Sequence, residues 1–493
     1  MNAAVALIDW PVDSFEDWPL ALWTSDELAE ACGGLASGPF QVSGVEIDSR
    51  DVVEGDLFFA LKGETMDGHR FLEGAFAKGA AAAVVDRKIA GNHILVEDTS
   101  VALERLAAAA RARIAGDAVV LGVTGSVGKT SVKEALFAAL DRSSHGRAHR
   151  SVKSYNNHVG VPLSLARMPS GTRFGVFEMG MNHAGEIDGL TRQVRPQVAL
   201  ITTIAPAHIE NLGSEEAIAD AKAEIFRGLE PGGVAVIPAD SPHFARLRAA
   251  ALLVRAEVAS FGRAEHADVR LLDAVAAPGG GSLVTIDMGD RRLCYTVAAP
   301  GEHWVTNSLA VMAAVRAAGG DLGAAGLALG ELAGMKGRGA RHEIATKDGG
   351  TALLIDESYN ANPASMGATL AQLGATPATR RIAVLGAMKE LGEHGPAMHA
   401  ELAGPIGAAA VDHLILVGDE MGALADELGK SGGAALGKAA QFTHCPDTAA
   451  AIAALADLGL ESGDVILVKG SNSVGLGKLV EALQVDTAAD EKG

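Results

Sequence analysis

The stretch VVLGVTGSVGKTS, Val119 to Ser131, ends in the Gly-Lys-Thr of a phosphate-binding loop. The usual spacing asks for a glycine five residues before Gly128, and valine stands at 123. Context favours a nucleotide site nonetheless. The strand pattern AVVLGV runs straight into the loop, and beyond it Val132, Ala135, Leu136, Ala139 and Leu140 recur on one helical face. A loop that joins a strand to a helix N-terminus turns backbone N–H groups toward an anion. Gly122, Gly125 and Gly128 permit close approach, and Thr124, Ser126 and Val127 complete the loop. Lys129 is expected to reach the β- and γ-phosphates of a nucleotide, and the Thr130 hydroxyl to ligate Mg²⁺.

A nucleotide–metal site also needs an acidic group. Glu178 closes the strand pattern RFGVFEMG, and His208 follows the next one, QVALITTI. Both fall at C-terminal strand ends, where doubly wound sheets gather ligands. Singly, each has an ordinary structural reading, a strand-end cap and a surface histidine. On successive strands behind a phosphate loop they are expected to hold Mg²⁺. Lys222, on a helical pattern soon after His208, reads on spacing alone as a solvated lysine. Two other glycine–lysine pairs serve as controls. LGKS at 428–431 follows a helical run and reads as a helix C-terminus, and GSNSVGLGKL at 470–479 lacks the closing Ser or Thr.

Three α/β segments must position these residues. The first, residues 1–115, alternates VEIDSR, DLFFALKG and AAAVVD with a helical HRFLEGAFAKG, and SVALERLAAAARARIAG leads out as a linker helix. The second, 116–335, holds AVVLGV, RFGVFEMG, QVALITTI and GVAVIPA, followed by a smaller antiparallel addition near 268–298. Buried strands alternating with helices predict a doubly wound, mostly parallel sheet carrying the phosphate loop. The third, 336–493, holds TALLIDE, RRIAVLGAM, DHLILVGD and DVILVKGS in the same alternation and reads as a second, Rossmann-like sheet. The fold class is therefore α/β in three domains: a small N-terminal α/β domain, the central sheet and the Rossmann-like C-terminal domain.

Composition sets the outer limits. A chain of 493 residues is too long for one ordinary core. No apolar run approaches the roughly 20 residues that span a bilayer. The start, MNAAVALIDWPVDSFEDW, lacks a basic region and is not expected to be a signal peptide. The reading is a soluble, cytoplasmic chain without membrane insertion, and a monomer is expected. A net charge of -20 opposes a nucleic-acid partner, so positive charge for phosphates must be local. Cys32, Cys294 and Cys445 lie far apart and read as reduced thiols.

The motifs GVTGSVGKTS, YNNHVGVPLSL, EMGMNHAGEI, IAPAHIENLGS, AKAEIF, GEHWVTNSLA, GRGARHE and DESYNANPASM occur in that order. In them the chain closely resembles the Mur ligases, ATP-dependent amide-forming enzymes of peptidoglycan precursor synthesis, across nearly its whole length. The family loop has the form T-G-x-x-G-K-[TS], which accounts for Val123. DESYNANPASM, LGAMKELGEHGPAMH and VKGSNSVGLGKLVEAL resemble the type that joins D-alanyl-D-alanine to UDP-N-acetylmuramoyl-tripeptide. The resemblance implies that Lys129 and Thr130 hold ATP and Mg²⁺, with Glu178 and His208 completing the metal sites and Lys222 carried as a carbamate. Burial can make such an amine neutral, as carbamylation requires. It further implies that Asn307 contacts adenine and that Arg338 and Asp356 approach the nucleotide from the third domain. Tyr359, Asn360 and Asn362 would meet nucleotide or D-alanyl-D-alanine, Asn156 and Asn157 the peptide-bearing substrate, and Ser49 and Arg50 the uridine diphosphate end in the first domain.

The sequence departs from the family pattern at Thr203 and Trp304, where asparagine is usual, at His158, where an acidic or other polar group is frequent, and at Lys336, where proline is frequent. None removes a residue expected to do chemistry. A ligase adding the third amino acid is disfavoured because its Asp-Asn-Pro-Arg motif is missing. A non-catalytic nucleotide switch is disfavoured because it needs no set such as Glu178, His208 and Lys222.

Overall fold

The computed structural model describes residues 21–63, 66–277, 280–332, 334–430 and 442–490. The N-terminal stretch read as lacking a signal and Ser431 of LGKS lie outside them. The chain forms two compact units, one running up to Gly116 and including Pro162–Thr172, the other holding the rest.

In the first unit β1 (Trp23–Thr24) pairs antiparallel with β3 (Gln41–Val42). The main sheet has β2 (Leu35–Ala36), β4 (Gly44–Glu46), β5 (Asp56–Phe59), β6 (Ala82–Val85) and β7 (His93–Leu95), in the order β2-β7-β6-β5-β4. Thr24 and Glu27 form a reciprocal capping box that starts the helix Ser25–Cys32. Residues 162–172 are tied in by Arg167, which pairs with Glu46 at 2.6 Å, and by the Trp23 indole, which donates to the Ala166 carbonyl at 2.9 Å. The strand expected over VEIDSR stops at Glu46. Asp48 accepts the Arg50 N–H at 2.9 Å and folds the segment into a turn.

The second unit carries two sheets. Its larger one contains β8 (Val119–Thr124), β9 (Ala148–Arg150), β10 (Phe174–Glu178), β11 (Val198–Ile201), β12 (Val234–Pro238), β13 (Glu257–Gly262), β14 (Val269–Ala276), β15 (Ser282–Asp287) and β16 (Arg292–Val297). The order is β16-β15-β14-β13-β12-β11-β8-β10-β9, parallel from β9 to β14. The antiparallel addition is the far edge of this same sheet. Because β8 lies between β10 and β11, the chain reverses direction across the sheet beside the phosphate loop, where such sheets open a crevice. The helix Lys129–Ser143 buries Val132, Ala135, Leu136, Ala139 and Leu140 in one core with Val305, Leu309 and Met312 of the helix Glu302–Ala317.

The other sheet has β17 (Ala340–Ala345), β18 (Thr351–Glu357), β19 (Arg381–Gly386), β20 (His413–Val417), β21 (Phe442–Cys445) and β22 (Val465–Lys469). Its order is β17-β18-β22-β19-β20-β21, and only β17 runs antiparallel to its neighbour. Gly429 and Lys430 close the helix Gly422–Lys430, as read from LGKS. GSNSVGLGKL instead lies where β22 passes into the helix Gly477–Asp490.

Candidate active site

The phosphate loop is pinned from behind by the turn after β11. Ser126 N–H donates to the Thr203 carbonyl at 2.8 Å, and Ser126 Oγ donates to the Ala205 carbonyl at 2.8 Å. Thr203, a departure from the family pattern, therefore serves through its backbone. Gly128 adopts φ +85°, and a Cβ there would lie 2.9 Å from Asn307 Oδ1. That conformation and that crowding both call for glycine. Lys129 folds back so that its ammonium donates to the Gly125 carbonyl at 2.7 Å.

Glu178, 1% exposed, ends β10 beside this loop. Thr130 Oγ1 donates to its Oε2 at 2.9 Å and Asn156 Nδ2 to its Oε1 at 2.8 Å. The family resemblance sets Asn156 against substrate, and in this structure its amide also steadies the Glu178 carboxylate. Lys133, fully buried one turn into the helix, donates to the carbonyls of Ser151 and Lys153 at 2.8 and 2.7 Å. It thereby fixes the segment that carries Asn156. His208 sits at φ +61° with Nδ1 2.6 Å from Glu390 Oε2, and this contact draws the Glu390 carboxyl below its ordinary range.

Lys222 is not a solvated lysine. It is 1% exposed, and burial, followed by the charge of Lys129, pushes its amine well below the usual lysine value. The helix Glu215–Ala223, capped by Ser214, carries it inward. Among the described residues no three His, Cys, Asp or Glu side chains gather as a metal cage. Magnesium needs less than that, since one or two carboxylates commonly hold it with water and substrate phosphates. The Thr130 hydroxyl and Glu178 carboxylate, 2.9 Å apart, fit such a site.

From the C-terminal sheet, Arg338 donates to Ser154 Oγ at 3.4 Å and stacks 4.3 Å over the Tyr359 ring. Asp356 sets this up from below. Its carboxylate accepts the Gly337 N–H at 2.7 Å and the Ser358 hydroxyl at 2.6 Å. Asn362 accepts the Ser365 N–H at 2.9 Å and caps the helix Pro363–Ala375.

A cavity of ≈ 460 Å³ collects these groups. Ser126, Val127, Gly128, Lys129, Thr130, Asn156, Glu178, His208, Asn307, Arg338, Tyr359, Asn360 and Asn362 all line it. Thr124, Gly125, Asn157, Lys222 and Asp356 lie outside its lining. Asn157 is turned onto its own backbone, accepting the Gly160 N–H at 2.9 Å. Ser49 and Arg50 belong to the first unit, where Arg50 pairs with Asp48 at 2.6 Å. The lining also includes His303, Glu357 and Lys469, to which the sequence reading gave no role. They lie inside the motifs GEHWVTNSLA, DESYNANPASM and VKGSNSVGLGKLVEAL, at the end of a strand or the start of a helix.

A nucleotide loop at a switch point, facing a second sheet across one cavity, defines an ATP-using ligase architecture. Three family descriptions match the chain: Mur ligase family, catalytic domain, over residues 41–115; Mur ligase middle domain over 123–315; and Mur ligase, glutamate ligase domain, over 340–472. The chain belongs to the Mur ligase family. The UDP-N-acetylmuramoyl-tripeptide–D-alanyl-D-alanine ligase of Synechocystis sp. is 36% identical, covering 91% of this chain and 93% of that protein. The ligase of the same name from Escherichia coli is 34% identical over 94% and 98%. The crystal structure of MurF from Acinetobacter baumannii matches with a TM-score of 0.78 at 30% identity, covering 94% of this chain and 98% of that one. MurF from Thermotoga maritima in complex with ADP gives 0.72 at 26% identity over 91% and 99%.

Proposed function

We propose that this chain is the ATP-dependent ligase that joins D-alanyl-D-alanine to UDP-N-acetylmuramoyl-tripeptide, in the cytoplasm, within three domains bounded at 1–115, 116–335 and 336–493. The observation that carries the reading is the shared cavity. The phosphate loop with its Thr130–Glu178–Asn156 set lines one side, and Arg338, Tyr359 and Asn360, from the segments before β17 and after β18, line the other.

Backbone N–H groups of residues 127–130 cradle the phosphates, and Lys129 leaves the Gly125 carbonyl to meet the γ-phosphate. Thr130, Glu178, His208 and a carbamylated Lys222 would hold Mg²⁺, which neutralises phosphate charge when bound. The terminal carboxylate of the tripeptide forms a bond to the γ-phosphorus as the bond to ADP breaks, giving an acyl phosphate. Lys129 and Arg338 offset the charge that spreads over the transferring group, so the protein acts mainly by positioning and electrostatics. The amine of D-alanyl-D-alanine then attacks the acyl carbon and phosphate leaves. Asn307 takes the adenine, the role that the family resemblance implies for it. Ser49 and Arg50 take the uridine diphosphate end, and Asn157 the peptide-bearing substrate.

Phosphate release is the test, with ATP, magnesium and each acceptor substrate omitted in turn, and mass spectrometry of the product. Release that requires both substrates and yields the pentapeptide is expected. Stimulation by a single amino acid in place of the dipeptide would identify the neighbouring ligase instead. Binding of nucleotide without turnover would identify a switch.

A further inference from the structure

The amine of D-alanyl-D-alanine reaches the site largely as an ammonium, since α-amino groups titrate at about 8. It must lose a proton before its lone pair can attack. Glu178 and Glu357 are the two carboxylates among the cavity-lining residues. Both Glu178 oxygens already accept hydrogen bonds, from Thr130 and Asn156. Glu357 is differently placed. It is the last residue of β18, in register with Lys469, the last residue of the neighbouring parallel strand β22. Among the described residues the hydrogen bond made to its carboxylate is the long one from Lys469, 3.5 Å to Oε2. The Lys469 ammonium, 1% exposed, is anchored instead by the Asn360 carbonyl at 2.8 Å. His303, the nearby imidazole, is held down at about 4 by burial and the Lys469 charge, which makes it a poor base.

We propose that Glu357 is the proton acceptor for the incoming amine of the dipeptide, and that Lys469 is the positioning residue that fixes it there. The proposal rests on the ligase reading and deepens it. One proton passes from the ammonium to the Glu357 carboxylate, leaving a neutral amine. The amine nitrogen then bonds to the acyl carbon. As the tetrahedral adduct collapses, the carbon–oxygen bond to phosphate breaks and the second nitrogen proton departs with the phosphate. Glu357 afterwards releases its proton to water. Burial raises the Glu357 carboxyl, with Lys469 and Arg338 opposing and Asp356 adding to the rise, which brings it nearer to the amine it must deprotonate.

Hydroxylamine tests this, because it is largely unprotonated at neutral pH and traps an acyl phosphate as a hydroxamate without a base. With ATP, magnesium and UDP-N-acetylmuramoyl-tripeptide, the wild type should form hydroxamate when hydroxylamine is added and pentapeptide when D-alanyl-D-alanine is added. Glu357→Gln should slow pentapeptide formation by about 100-fold or more while hydroxamate formation falls far less. Its residual pentapeptide activity should also recover as pH rises and the free amine becomes abundant. Losing one member of a buried charge pair can unfold a protein, so Glu357→Gln/Lys469→Met, which removes both charges, is measured alongside. Equal loss of both products in the folded variants, or equal retention, overturns the proposal. A wild type that forms neither product overturns the ligase reading itself.

Discussion

Gly128→Ala isolates the backbone demand of the phosphate loop. At φ +85° an alanine is held in a left-handed conformation that costs about 1–2 kcal/mol. Its Cβ would also press on Asn307 Oδ1 at 2.9 Å, so that side chain must rotate away. If the free loop relaxes and is restored only on binding, the strain appears in affinity. It then weakens a non-hydrolysable ATP analogue by about 5- to 30-fold. If the loop keeps its shape without nucleotide, the same strain appears as lost thermal stability. Titration calorimetry and thermal unfolding of one preparation therefore account for it together. Gly189→Ala is the control. That glycine lies inside the helix Glu186–Val194, where an added methyl group would meet no atom within 4 Å and the backbone has no positive φ. It should gain roughly 0.5–1 kcal/mol and bind nucleotide normally. Gly128→Ala matching the wild type in both affinity and melting temperature would refute the reasoning.

Asn156→Ala removes the donor 2.8 Å from Glu178 Oε1, and the magnesium concentration for half-maximal turnover should rise about 10- to 100-fold. An unchanged requirement would separate Glu178 from the metal. Lys222→Ala should lower turnover much more than folded yield. Carbon-13 bicarbonate should give a carbamate resonance in the wild type that this variant lacks, and its absence from both would sink the assignment. His303, with a folded value of about 4 against 6.5 ordinarily, leaves the unfolded chain binding more protons between those values. Stability is therefore lost as pH falls through that window, by up to about 3 kcal/mol. His303→Gln should flatten that limb of the acid-unfolding profile, and a profile that stays as steep would place the acid sensitivity elsewhere.

Much of the site was legible because its signals are local. A strand, a glycine loop and an amphipathic helix occupy consecutive residues from 118 to 143, so periodicity alone revealed the geometry that a motif rule based on Val123 would have rejected. Glu178 and His208 were singled out for the same reason, one ending a recognisable strand pattern and the other following one, and both line the cavity. Lys222 shows the limit. The sequence AKAEIF is compatible with a solvated face, and only packing of its helix makes the side chain 1% exposed.

By itself, then, the sequence determined the α/β class, the nucleotide loop and, through ordered motifs, the family. Tertiary structure decided which strand ends become neighbours. Glu357 and Lys469 are 112 residues apart, yet parallel pairing of β18 with β22 sets them side by side. Asn156 meets Glu178 because β10 lies next to β9 and the buried Lys133 holds the segment that follows β9 in place. Hydrophobic periodicity reports which face of an element is buried, but not which element lies against it. Side chains brought together by strand order, with burial that shifts their charge, exist only once the sheets have formed.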